Sequence, residues 1–175
     1  MSEDQEPEAA LDQTDALHLR AAIALSAQAC DAGNMPYGAL LVGADGRVLH
    51  EARNTQISAR DCTGHAETNL IREASARLDP ASLADSTVYA SGEPCAMCAG
   101  ALYWGGVRRV VYALSIASMR ELGGAEVDEL SLACRSVMAH GTRTVEVTGP
   151  ALQAEARRVF EAREGGADFR PAAAS

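Results

Sequence analysis

The chain has no lysine: all fifteen of its basic residues are arginines. That absence removes the lysine of a Walker-type phosphate loop, a Schiff-base lysine and a pyridoxal site together. No apolar run approaches the ~20 residues that a membrane-spanning helix needs, which excludes such a helix. The opening MSEDQEPEAALDQTD is acidic and polar, where a secretory leader would be basic and then apolar. A cytoplasmic protein is the expectation. An even disulfide framework is missing as well. The five cysteines, Cys30, Cys62, Cys95, Cys98 and Cys134, are odd in number and unevenly spread, which favours metal or core roles. A broad basic surface is also absent. The net charge is −9, with much of the acid in Glu3, Asp4, Glu6, Glu8, Asp12 and Asp15. Phosphate contacts need positive charge, so nucleic acid is disfavoured as a partner. The adjacent basic pairs, Arg108–Arg109 and Arg157–Arg158, read as solvated faces.

What is present suits one globular domain, with 175 residues of which 47% are hydrophobic. Residues 1–13 read as a disordered acidic tail, 14–164 as the domain and 165–175 as a mobile tail. A helix is expected over 15–32, capped by Thr14 or Asp15, with Gly33-Asn34 ending it. Tyr37 to Val42 is a short apolar run. Ala44-Asp45-Gly46 is a hairpin turn signal, and Arg47 to Ala52 alternates like a strand. Residues 53–64 show no period. A helix follows from His65 to Leu78, with Pro80 just beyond it, then a strand over Thr87 to Ser91. A second helix runs from Pro94 to about Trp104 and stops at Gly105-Gly106. The β-branched VRRVVYA segment, Val107 to Ala113, reads as a strand, and 115–125 as irregular. A helix over Val127 to Ala139, a strand over Thr142 to Thr148 and a helix over Pro150 to Arg163 complete the order. Hairpin first, then strands alternating with helices, predicts a three-layer α/β/α sandwich around one mixed sheet of about five strands.

Two short segments carry the chemistry: His65-Ala66-Glu67 and Pro94-Cys95-Ala96-Met97-Cys98. Cys95 and Cys98, spaced i, i+3, share one side of a first helical turn. The positive end of that helix favours thiolates and therefore metal binding. His65, opening the other helix, can supply a third ligand. Three N/S ligands with a fourth position left for water is a catalytic zinc arrangement, whereas a structural site is closed by four protein ligands. In a first turn the side chains lean back over the helix end, so Glu67 can reach the same point as His65. There its carboxylate can take a proton from zinc-bound water and pass it to a leaving amine. Either segment alone is weak, since C-x-x-C also occurs in redox pairs and buried cysteines. Together they point to one catalytic Zn2+ per chain.

At these residues the chain resembles the cytidine deaminase-like superfamily of zinc deaminases, whose signature is H-x-E…P-C-x-x-C. The likeness runs from about Tyr37 to Ala113, through PYGALLVGADGRVL, the asparagine of ARNT, DCTGHAETNLIREA and SGEPCAMCAGALYWGGVRRVVYA. It implies that His65, Cys95 and Cys98 hold zinc and that Glu67 shuttles protons. It also implies substrate contacts from Asn54, the Ala66 N–H and the Glu93 carbonyl, the last facing the leaving amine. GEPCAMCAGALYW is most similar to the branch of guanine deaminases, tRNA adenosine deaminases and fungal-type cytosine deaminases. Trp104 could stack on a base or pack in the core or at a dimer interface, and the other reading of Asn54 is a turn residue. The expected function is zinc-dependent deamination of a free base, guanine first and cytosine-like rings next, by a homodimer of the kind common in the superfamily. The alternatives are a tRNA adenosine deaminase and a non-catalytic zinc-stabilised module.

Overall fold

The computed structural model describes residues 7–123 and 130–162. Helix α1, Gln13–Asp31, opens at Asp12, whose Oδ1 accepts the Asp15 N–H at 2.7 Å. The cap is therefore Asp12, not the expected Thr14 or Asp15. Asp15 points inward instead, because a stronger partner awaits it there. Arg109 donates to both of its carboxylate oxygens at 2.7 Å, and the Tyr89 hydroxyl donates to Oδ1 at 2.7 Å. The same guanidinium reaches Glu146 at 3.0 Å, so Arg109 is a partly buried staple, not part of a solvated face. Arg157 likewise pairs with Glu121 at 3.2 Å.

Strands β1, Gly38–Val42, and β2, Val48–Arg53, form the expected hairpin, with Gly46 in the left-handed region at φ 79°. Strands β3, Thr87–Gly92, β4, Arg109–Leu114, and β5, Glu146–Thr148, complete one sheet in the order β2-β1-β3-β4-β5. The hairpin side is antiparallel and the β3-β4-β5 side parallel, so the sheet is mixed, with five strands. Edge strand β2 is largely exposed, whereas β1 is buried along its whole length. Buried strands read as continuous apolar runs, and GALLV is one.

Alternate residues of β4 feed two cores. Val110 and Tyr112 join Leu70, Ile71 and Leu102, the inner faces of α3, Ala66–Ser75, and α5, Ala96–Gly105. Val111 and Ala113 join Leu19, Ile23 and Ala156 of α1 and α8, Gln153–Glu161. Helix α1 lies directly on the sheet at Gly38, where an added Cβ would sit 2.5 Å from Leu25 Cβ and 2.6 Å from Ala22 O. The three-layer α/β/α expectation is met.

Several boundaries differ. The loop over 53–64 contains a single helical turn, α2, Gln56–Ala59. Pro80 opens helix α4, Pro80–Ala84, because Asp79 caps the N–H groups of Ala81 and Ser82 at 3.0 Å. The stretch read as irregular after Ser115 is helix α6, Ile116–Gly123. The helix expected over Val127 to Ala139 is reduced to α7, Cys134–Ala139, and its residues 127–129 lie outside the described ones. The last strand is shorter than Thr142 to Thr148, and the last helix shorter than Pro150 to Arg163. Part of the expected acidic tail is held in place: Ala9 donates to Pro150 O at 2.7 Å, and Glu8 accepts from the Gln153 N–H at 2.9 Å. Residues 1–6 and 163–175 lie outside the described residues.

Candidate active site

The C-terminal end of β3 leads through Glu93 and Pro94 directly into α5, which packs beside α3. Both helices begin with an extended N-cap residue, His65 at φ −69°, ψ 149° and Cys95 at φ −63°, ψ 172°. Neither side chain caps its own helix, so both are available to point at the same place. Cys98, one turn into α5, is fully buried. The ligand atoms of His65, Cys95 and Cys98 lie within 4.8 Å of one another, and Cys95 Sγ is 3.6 Å from His65 Nδ1. Zinc bonds of ~2.0 Å to nitrogen and ~2.3 Å to sulfur give a tetrahedral N···S edge of about 3.5 Å. The donor set and its spacing therefore fit zinc.

Glu67 lies beside this trio and is 4% exposed, with Oε2 3.5 Å from Cys98 Sγ. Burial raises its pKa above the usual carboxylate range, with His65 opposing that shift. Cys95 is lowered to about 4, chiefly by the hydrogen bond from Cys98 and also by His65. Cys98 is raised by the same bond and by burial. One thiolate is thus ready-made, and the second proton must leave when a cation arrives. Thr68 Oγ1 lies 3.3 Å from Cys98 Sγ and can donate to that thiolate.

Glu93 is buried, and its side chain joins two distant segments. Oε2 accepts from the Ile116 N–H at 3.0 Å and Oε1 from the Cys134 N–H at 2.8 Å. The start of α6 and the start of α7 are thereby tied to the residue before the Pro94-Cys95 turn. Cys134 is pushed up to about 12 by burial and by the carboxylates of Glu93 and Glu67. Asn54 is 1% exposed and makes an Asx turn: its Oδ1 accepts the Gln56 N–H at 3.0 Å and its Nδ2 donates to Gln56 Oε1 at 2.8 Å. Ala66 is the first residue of α3, so its N–H has no acceptor within the helix.

The fold therefore gathers His65, Glu67, Cys95 and Cys98, with Ala66 and Glu93 on the same two chain turns. Trp104 lies further along α5. Six residues beyond Cys98, or about 9 Å along the helix axis, Trp104 is 86% exposed and packs edge-on against Tyr103. Sequence reasoning missed Thr68, the Glu93 side chain and the buried asparagines Asn34 and Asn69. None of these has a spacing signal, because each has a partner in another element.

The profile described as the cytidine and deoxycytidylate deaminase zinc-binding region matches residues 12–114, more than half the chain and all of the gathered residues. The chain belongs to this deaminase family. The deaminase is 36% identical over 149 residues to the probable cytosine deaminase of Schizosaccharomyces pombe, covering 83% of this chain and 90% of that one. It is 38% identical over 106 residues to the guanine deaminase of Bacillus subtilis, covering 60% and 67%. Relatives named tRNA-specific adenosine deaminase match as well. In structure, the guanine deaminase of Nitrosomonas europaea superposes with a TM-score of 0.73 at 23% identity over 90% of this chain and 88% of that one, which is a shared fold. The deaminase is thus a zinc-dependent enzyme of the nucleoside and nucleobase deaminase family. Among the described residues no helix is long and apolar enough to cross a membrane.

Proposed function

We propose that this deaminase acts on a free nucleobase or a small aminated heterocycle, with guanine and cytosine as the leading candidates and one zinc per chain. The observation that carries the reading is the buried Glu67 carboxylate beside a three-ligand His65, Cys95, Cys98 set. Three protein ligands leave a position for a reactant, and a base stands next to it. When bound, zinc supplies Lewis acidity and an activated water. The chain's residues do the rest. Glu67 accepts a proton from the attacking water and returns it to the departing amine, so an amino-bearing ring carbon gains oxygen and ammonia leaves. Burial suits Glu67 to both holding and releasing that proton. Thr68 steadies the Cys98 thiolate, as outer partners of metal ligands do. Asn54, the Ala66 N–H and the Glu93 carbonyl are the proposed ring contacts.

For the choice of ring, the GEPCAMCAGALYW segment favours guanine, while the near full-length match to a probable cytosine deaminase brings cytosine level with it. A polynucleotide substrate is less well supported: the net charge is −9 and the chain has no lysine. A cytoplasmic homodimer is the proposed form. Trp104 and Met97, both exposed and seven residues apart on α5, give an apolar strip that such a contact would cover.

Ammonia release from zinc-loaded protein is the test, with guanine, guanosine, cytosine, cytidine, adenine and an adenosine-bearing anticodon stem as substrates. Turnover of one free base, lost in Glu67→Ala, is the expected outcome. Turnover of the RNA alone would overturn the free-base assignment, and equal turnover by Glu67→Ala would overturn the proton shuttle.

A further inference from the structure

Asn54 and His65 bracket one loop. Residues 53–64 leave the end of β2, make the α2 turn and return to the N-cap of α3. Half of this loop's residues are exposed, yet its two ends must stand still if one offers a ring contact and the other a metal ligand. Backbone pairing at the neck is a single bond, from the Thr55 N–H to Gly64 O at 2.8 Å. The rest of the closure comes from one side chain on α3.

Asn69 is 3% exposed. Its Nδ2 donates to Arg53 O at 3.0 Å and to Thr55 Oγ1 at 2.9 Å, and lies 3.4 Å from Gly64 O. An amide nitrogen has two hydrogens, so the first two contacts are the principal bonds and the third is shared. The Asn69 Oδ1 accepts from Arg72 Nη2 at 2.7 Å, which fixes which way the carboxamide faces. Its bonds thus fall on the residues either side of Asn54 and on the residue before His65. The neck is also tight. A Cβ on Gly64 would lie 2.9 Å from Thr55 Oγ1 and 3.1 Å from Gln56 N. From the other side Asn34, also 3% exposed, accepts the N–H groups of Ile57 and Ser58 at 3.1 and 2.9 Å. The middle of the loop is thereby pinned to the end of α1, and its ends to α3.

We propose that Asn69 is a positioning residue: its carboxamide, clasping Arg53 O and Thr55 Oγ1, holds Asn54 at the height of the ring that Glu67 serves. The inference rests on the reading of Asn54 as a ring contact. Asn69 and Glu67 lie two residues apart on one rigid helix. The distance from Asn54 to the proton-transferring carboxylate is therefore set through Asn69. Only a side chain that donates twice at this length can do this. Aspartate would set oxygen against the carbonyl of Arg53, and leucine would leave that carbonyl without its donor.

The test is a double-mutant cycle on the zinc-loaded full chain, using cytosine and guanine as substrates. Asn69→Leu and the gentler Thr55→Val, which removes only the loop-side acceptor, are each combined with Asn54→Ala. Zinc content and thermal midpoint are measured for every variant. The expected result for Asn69→Leu is a rise in KM of tenfold or more, kcat within threefold and zinc retained, with Thr55→Val showing a smaller shift of the same kind. In the Asn54→Ala background neither change should alter kcat/KM by more than about twofold. Full multiplication of the two effects would overturn the inference and leave the Asn54 contact standing. An unchanged KM in Thr55→Val and Asn69→Leu would overturn it as well. Unchanged kcat and KM in Asn54→Ala would remove the ring contact itself, and this inference with it. Should Asn69→Leu not fold, Thr55→Val carries the same cycle alone.

Discussion

The two ends of the parallel strands bury acidic groups in opposite ways. At the start of β4, Asp15 is met by the two-pronged Arg109, by the Tyr89 hydroxyl and by a chain onward to Glu146. At the far end of β3, about 17 Å away for five residues of strand, Glu67, Glu93, Cys95 and Cys98 crowd together. Among the described residues neither Glu67 nor Glu93 forms an ion pair with an arginine. Glu93 is served by backbone N–H groups at two helix starts, and Glu67 has its pKa raised. Charge balanced within the chain holds the fold together. Charge left short of a partner is stored for a cation and a moving proton, and that imbalance marks the reactive end.

The largest effect that would break this contrast is expected at Glu67. Replacing it with Gln should cut kcat by about 100-fold to 10,000-fold while zinc stays bound, and should leave the thermal midpoint unchanged or higher. A lower midpoint would mean that Glu67 is a structural acid like Asp15. Cys98→Ala comes next, since it removes a fully buried thiol of the proposed ligand set. Zinc should be lost, and the stabilisation that added zinc gives the parent should disappear, as read by calorimetry with and without a chelator. At the other end, Asp15→Asn should cost about 2–3 kcal/mol in denaturant titration, because it strands a partly buried Arg109. Its kcat and KM should not move.

The pH dependence sharpens the same pair. Hydrogen bonding to Arg109 holds the Asp15 pKa below its usual 3.8, against the opposing effect of burial. The unfolded chain therefore takes up this proton first as pH falls. The stabilisation is fully present above that usual value and disappears as pH drops through the folded pKa beneath it. Asp15→Asn should flatten the stability curve in that acid window and merely lower it at neutral pH. The smallest effect is expected at Trp104, where Ala should change the stability of the isolated chain by less than about 0.5 kcal/mol. A large loss, or a change of association state in sedimentation, would assign this residue to a contact between copies.

Where the sequence could be read, the informative interactions lay within a turn or two of the chain. The i, i+3 cysteines, the histidine and glutamate at one helix start, and the alternation of β2 each show a local period. The mismatches have the opposite character. Asp15 looks like a cap because serine-like acids at helix starts usually are. Arg109, 94 residues away, draws it inward and leaves capping to Asp12. Residues 115–125 lack a clean apolar period, yet α6 forms, with Glu93 receiving the Ile116 N–H at its first turn from 23 residues away.

The five strands, the mixed sheet and the clustering of His65, Glu67, Cys95 and Cys98 were legible in the sequence, because each rests on spacing within a single element or on two elements that open alike. Tertiary structure alone decided which acids are neutralised and which are kept reactive, and how the loop between Asn54 and His65 is closed. Those outcomes depend on where Arg109, Asn69 and the backbone N–H groups of Ile116 and Cys134 arrive in space. Such partners come from separate elements, and no local period records them.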